Sequence, residues 1–218
     1  MNANYVMPLE NLELTNKIIV LVGSSGSGKT TLAKKLSNDL KISQLITTTT
    51  RDIRDGESDE VDYHFVDVEK FRLMNELNCF LETTLYSGHQ YGLTYDEVIK
   101  YDNQLCYVIT DTNGARAIAD AFPERVMIFW LRSNPTLLVK RLSDRGDSIK
   151  SVMERLYSAM KNKEFKSPYK EFVDVSFTEL RADTNINNNF GIIYYKLLTA
   201  EYSNNASYLH KLERGKGE

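Results

Sequence analysis

Residues 23–30 read Gly23, Ser24, Ser25, Gly26, Ser27, Gly28, Lys29, Thr30, a complete GxxxxGK[ST] string. It follows a short β-branched run, KIIVLV at 17–22, and precedes Leu32, Ala33, Leu36 and Leu40 at helical spacing. A buried strand, a glycine-rich turn and an amphipathic helix in that order predict a concave anion site. The glycines let successive backbone N–H groups point inward, and the helix N-terminus adds about half a positive charge. Lys29 is then placed to reach the β- and γ-phosphates of a nucleoside triphosphate, Thr30 to offer its hydroxyl to Mg²⁺, and Thr31 to lie beside them. The loop does not by itself separate a kinase from a GTPase or a motor ATPase.

The rest of the chain extends the strand–helix rhythm. LCYVIT at 105–110 precedes an apolar helical pattern at 115–122, and VMIFWL at 126–131 precedes another at 135–145. This alternation predicts an α/β fold: a parallel sheet built by right-handed crossovers and covered by helices on both faces. Ser133 or Asn134 suits the cap of the helix near 135, Pro135 its first turn and Gly146 its end. Ile149, Val152, Met153, Leu156 and Met160 predict a further amphipathic helix, 172–177 a last strand and 186–198 a closing helix. Asp111, directly after a strand run, is expected to face the phosphate loop and to hold Mg²⁺ through water, although an aspartate there also serves as a turn starter.

The segment 43–99 interrupts the rhythm and reads as an inserted lobe between core segments 17–42 and 100–198. Charge is unevenly spread: 52–69 hold eight acidic residues and one basic residue, whereas 132–163 hold eight basic and three acidic residues. Overall, 27 Lys and Arg against 30 Asp and Glu leave a formal charge of −3. That near-neutrality argues against a protein whose main task is gripping nucleic acid. The longest apolar runs are far shorter than the ~20 residues of a membrane span. Residues 1–16 read as a polar lead-in without the pattern of a secretory signal, and Cys79 and Cys106 lack metal-ligand spacing. A cytoplasmic protein is the expectation, monomeric or homodimeric, with a polar tail at 199–218 that frays.

Within the insert, Thr49-Thr50-Arg51-Asp52-Ile53-Arg54-Asp55-Gly56-Glu57, then 61–66 (VDYHFV), Phe80-Leu81-Glu82 and Tyr91-Gly92 follow one another. With the phosphate loop and the RLxxRG string at 141–146, they resemble the guanylate kinase family in order and spacing across about residues 17–177. The resemblance implies a P-loop NTPase fold with a small mixed nucleoside-monophosphate-binding lobe and an arginine-bearing lid at about 141–155. It implies transfer of the ATP γ-phosphate to GMP or dGMP, with small-molecule nucleotides as the only partners. Arg51 and Arg54 can converge on one phosphate, completed by the neutral hydroxyls of Tyr63 and Tyr91. Glu82 can accept both N1–H and N2–H of guanine, a donor pair that adenine lacks. Thr47 can donate to O6, and the resemblance adds Glu57, Thr94 and Asp111 to the acceptor site. By the same resemblance Arg141, Arg145 and Arg155 close over the triphosphate and join Lys29 as catalytic residues.

The chain also departs from the family pattern. Leu93 stands where a serine is usual, Ile109 replaces the first acid of an Asp-x-Asp pair, and 177–179 (FTE) lack the usual Asn-Asp turn. Asn113-Gly114-Ala115-Arg116 is similar to the NGxR turn of ribose 1,5-bisphosphate phosphokinases, a second kinase reading. A non-catalytic guanylate-kinase-like binding module is a third, which the intact Lys29-Thr30 pair disfavours.

Overall fold

The protein is described here from a computed structural model, covering the backbone of residues 17–86 and 88–214 and side chains up to residue 200. The lead-in at 1–16 and the last four residues of the tail lie outside the described residues.

Five parallel strands form the main sheet. They are β1 (Ile18–Val22), β2 (Ser43–Gln44), β7 (Cys106–Ile109), β8 (Val126–Arg132) and β9 (Ser176–Arg181), in the order β2-β7-β1-β8-β9. The apolar run of β1 is central and buried on both faces, as a strand between two helical layers must be. Period-two alternation splits it between two cores. Ile19 and Leu21 join Met127 and Phe129 under α1 (Lys29–Leu40) and α7 (Ile186–Arg214), with Phe190, Ile193 and Leu197. Ile18, Val20 and Val22 join Ile128 and Trp130 on the other face, under Ala115, Ile118 and Ala119 of α4 (Thr112–Ala121).

The excursion from the core carries a four-stranded mixed sheet in the order β4-β3-β6-β5: β3 (Thr48–Thr49), β4 (His64–Phe65), β5 (Phe80–Tyr86) and β6 (His89–Thr94). It also carries α2 (Val68–Glu76) and returns through α3 (Tyr95–Lys100). β2, though inside segment 43–99, pairs with β7 and so extends the core sheet. Glu97 of α3 is buried and accepts a hydrogen bond from the backbone N–H of Ile46 at 2.9 Å, with His64 Nε2 3.7 Å away.

Three expected elements differ. The last strand is β9, four residues later than the apolar run at 172–177, because Phe172 enters the core from a short 3₁₀ turn at Tyr169–Glu171. The helix α6 (Ile149–Lys161) packs on α5 (Pro135–Asp144) through Val152, Leu156 and Ala159, leaving Ile149, Met153 and Met160 exposed. The closing helix does not end near 198 but runs to Arg214, through the segment expected to fray. Among the described residues, no helix is long and apolar enough to cross a membrane.

Candidate active site

A cleft of about 780 Å³ opens where β1, β7 and β8 end. Such carboxyl-edge crevices are where open α/β sheets bind ligands. Along its floor runs the loop from Gly23 to Thr30. Gly28 caps α1 in a left-handed conformation, φ 102°, which only glycine adopts without strain. A Cβ at Gly28 would stand 3.2 Å from Nη1 of Arg141. Every helix from α2 to α6 carries a side-chain N-cap, supplied by Asp67, Thr94, Asp111, Asn134 and Ser148 in turn. By contrast, α1 has neither a side-chain cap nor an acidic residue in its first turn. Its backbone donors are left for an anion from outside the helix.

Lys29 is half-buried and donates to the carbonyls of Gly23 (2.6 Å) and Ser24 (2.9 Å). Burial pulls its pKa down to about 8, against the opposing pull of the Glu164 carboxylate. Ser25, Gly26, Ser27, Thr30 and Thr31 also line the cleft. Ser24 does not: its side chain is fully buried, and its Oγ, like that of Ser27, has no hydrogen-bond partner.

The three expected lid arginines reach the same cleft from α5 and α6. Arg141 donates to the carbonyls of Gly26 (2.9 Å) and Ala182 (2.6 Å), so it clamps the loop to the chain leaving β9. Arg155 donates to Ser25 Oγ at 3.1 Å. Arg145 is exposed at the end of α5 and pairs with Asp147. The turn after the last strand is 182–184, not 177–179, and its Ala182 and Thr184 line the cleft with Asn189.

Across the cleft stand Thr47, Arg51, Arg54, Tyr63, Glu82 and Tyr91. Arg51 is 7% exposed and held from several sides: Nη2 donates to both Glu57 oxygens at 2.8 Å, and the guanidinium lies 5.4 Å from the Tyr63 ring centre. Burial opposes its charge, but the Glu57 carboxylate outweighs that and raises its pKa. Burial and the neighbouring Tyr91 raise the Tyr63 pKa, keeping its hydroxyl a neutral donor. Glu82 sits on β5 with Oε2 buried and without a partner. Burial, with Asp111 adding to it, pushes its pKa up to about 7. An unpartnered buried carboxylate oxygen is costly in an empty protein and marks a place where a ligand donor belongs.

Asp111 lines the cleft while capping α4: Oδ1 accepts from Gly114 N (2.8 Å) and Oδ2 from Thr84 Oγ1 (2.8 Å). Among the described residues no group of three or more His, Cys, Asp or Glu side chains can hold a metal unaided. Thr30 and Asp111, the two residues expected to meet magnesium, both line the cleft, and this ion commonly takes most of its ligands from water and phosphate.

Besides Ser24, two expected acceptor-site residues do not line the cleft. Thr94 caps α3, accepting from Glu97 N at 3.2 Å. Glu57 lies behind Arg51 and acts on it. Leu93 is fully buried among Leu45, Val98 and Ala115, so its departure from the pattern fills core. Ile109, at the end of β7, does line the cleft. The Asn113–Arg116 turn has structural work instead: Gly114 packs beneath Glu82, and Arg116 bonds to Asp120, Asp174 and the Glu171 carbonyl. Residues not foreseen from sequence are Thr84 and Tyr86, His89 and Glu164. Glu82, Thr84 and Tyr86 alternate along β5, so strand periodicity carried that signal.

Comparison with known proteins agrees with this geometry. Residues 15–187 match the family model described as guanylate kinase. The guanylate kinase of Prochlorococcus marinus (strain MIT 9312) is 35% identical over 147 residues, covering 66% of this chain and 80% of that protein. That of Neisseria meningitidis serogroup A is 34% identical over 174 residues, covering 78% and 84%. The crystal structure of guanylate kinase from Anaplasma phagocytophilum shares the fold, with TM-score 0.61 and 20% identity over 86% of this chain and 87% of that one.

Proposed function

The chain belongs to the guanylate kinase family, and from that premise we propose how its residues divide the work of ATP-dependent phosphorylation of GMP or dGMP. The observation that carries the assignment is the presence in one cleft of a phosphate loop whose helix has no cap of its own and of Glu82, whose buried Oε2 has no partner. The donor's β- and γ-phosphates lie on the backbone N–H groups of 25–30, with Lys29 turning from its two carbonyls to them. Arg51 and Arg54, with Tyr63 and Tyr91, hold the acceptor phosphate. Glu82 accepts guanine N1–H and N2–H, Thr47 donates to O6, and Asp111 borders the base.

Phosphoryl transfer asks for alignment and positive charge rather than covalent help. An oxygen of the acceptor phosphate attacks the γ-phosphorus, the bond to the bridging oxygen breaks, and ADP leaves. Arg141 and Arg155 are already anchored on the loop, and Arg145 is one weak surface pair away from joining them. Magnesium, held by Thr30 and by Asp111 through water, would supply charge on the β- and γ-oxygens. Closing the lid excludes water, the competing acceptor.

The test is ADP release from Mg·ATP with GMP, dGMP, AMP, CMP, UMP and ribose 1,5-bisphosphate as separate acceptors, and Lys29→Ala as the blank. Turnover confined to guanine nucleotides is expected. Turnover with the sugar phosphate alone would overturn the acceptor assignment.

A further inference from the structure

Thr84 has no place in the division of labour above, yet it lines the cleft two residues after Glu82 on β5. Strand periodicity turns both side chains to the same wall, while Thr83 and Leu85 stay exposed. Thr84 Oγ1 donates to Asp111 Oδ2 at 2.8 Å. A carboxylate accepts and a hydroxyl gives, so the direction of this bond is fixed. Thr84 belongs to the inserted lobe and Asp111 to the turn into α4, so the bond runs from lobe to core.

That bond decides how Asp111 stands. Its Oδ1 is taken by the Gly114 N–H, also at 2.8 Å, in the cap of α4. One such bond leaves a carboxylate free to turn about its Cβ–Cγ axis; a second, from another element, stops the rotation. A threonine suits the task, because a β-branched side chain is stiff at χ1. Each carboxylate oxygen has lone pairs for two donors, so Asp111, doubly held, keeps acceptor capacity in the cleft that it lines.

Glu82 gives this orientation a use. Gly114 touches both carboxyls: its N–H meets Asp111, and a Cβ on it would stand 3.0 Å from Glu82 Oε2. After burial, the Asp111 charge is what raises the Glu82 pKa. Guanine presents one hydrogen on N1 and two on the adjoining N2 amino group. Glu82 takes one from each nitrogen, which leaves the second N2 hydrogen to be received.

We propose that Thr84 is a positioning residue for base selection: it holds Asp111 so that this carboxylate receives the second N2 hydrogen of guanine, beside the pair taken by Glu82. Thr84 acts on the base only through Asp111. The acceptor class selected in this way is a purine monophosphate with a full 2-amino group. This inference rests on the acceptor site assigned above.

Turnover of GMP, and its inhibition by IMP, whose base keeps N1–H but has no 2-amino group, test the assignment. The proteins compared are wild type, Thr84→Val, Thr84→Ser, Asp111→Asn and the double variant Thr84→Val with Asp111→Asn. Thr84→Val should raise the KM for GMP about tenfold, the scale of one hydrogen bond to a charged group, and leave the inhibition constant of IMP within about twofold. Thr84→Ser keeps the hydroxyl and should hold both constants near wild type. Asparagine still caps a helix, so Asp111→Asn keeps that duty, and adding Thr84→Val to it should raise the KM for GMP no further. Both constants are independent of the fraction of enzyme that is folded, so a less stable variant still answers. Equal rises for GMP and IMP would make Thr84 a structural residue and overturn the proposal, as would an unchanged KM for GMP in Thr84→Val or a serine variant that behaves as the valine one. Each of those results leaves the acceptor site standing, whereas failure of wild type to phosphorylate GMP removes the site and the role of Thr84 together.

Discussion

The carboxylate of Glu82 rests against the bare Cα of Gly114: a Cβ there would stand 3.0 Å from both its Cδ and Oε2, and 2.1 Å from Thr110 Oγ1. The residue proposed to read the acceptor base therefore depends on a hydrogen atom at the first turn of α4. Replacing Gly114 by alanine forces Glu82 or Thr110 to move, an overpacking whose cost is ~1–3 kcal/mol. The expected result is a KM for GMP raised on the order of tenfold, with the KM for ATP nearly unchanged. Equal changes in both would show a general loss of folding instead.

A second expectation concerns pH. Burial and Asp111 raise the Glu82 pKa to about 7, so its carboxyl is largely neutral below that value. Only the ionised form accepts two N–H donors. GMP affinity should rise about fourfold from pH 6.5 to 8 and then level off, as one proton of that pKa requires. Glu82→Gln should bind GMP weakly at every pH, without this rise. A flat profile in wild type would remove Glu82 from the base site.

Lys29 gives opposite signs for activity and stability. Its pKa in the empty protein is about 8 against an ordinary 10.5, because burial penalises the charge. The unfolded chain therefore holds more protons between those values, and the stability of the empty protein should climb as pH rises through that window. Lys29→Met should melt higher than wild type at neutral pH and lack the climb, while kcat falls on the order of 10³. A melting temperature that drops would contradict the burial argument.

Glu57 is expected to act by holding the two arginines: both its oxygens accept from Arg51 Nη2, and Oε2 also accepts from the Arg54 backbone N–H at 3.0 Å. Glu57→Gln removes one arm of the bidentate pair and should raise the KM for GMP while leaving kcat within about twofold, since the transferring phosphoryl group is not its neighbour. A lysine at position 51 should not preserve acceptor binding, because it lacks the second nitrogen by which Arg51 holds the Asp52 carbonyl through Nη1 while Nη2 holds Glu57.

Thr94→Ala separates a cap from a ligand. Losing the α3 cap should cost about 1 kcal/mol of stability, seen in denaturant unfolding. The KM for GMP should stay at the wild-type value.

What could be read from the chain, and what could not, follows from where each signal is stored. The strand, loop and helix around Lys29 are contiguous, so spacing alone locates them, and the acceptor arginines sit in a short dense string. Thr94 closes β6, the strand that carries Tyr91, but a shared strand does not decide which way a side chain faces, and its hydroxyl caps α3. Strand β9 was displaced because Phe172, Val173, Val175 and Phe177 spell an apolar run, whereas an edge strand such as SFTELR has fewer positions to bury. In α6 the apolar residues outnumber those that pack, because α5 covers a single narrow stripe. Glu164 could not be foreseen at all: it arrives by a left-handed turn at Lys163, a residue type with no preference for that conformation.

Finally, the bond from Ile46 to Glu97 joins the stalk by which the chain leaves the core to the stalk by which it comes back. Two independent stalks would let the acceptor wall shear and twist. Riveted together, they act as a single axle, and any swing of that wall carries Arg51, Tyr63, Glu82 and Tyr91 as one plate with their mutual spacing preserved.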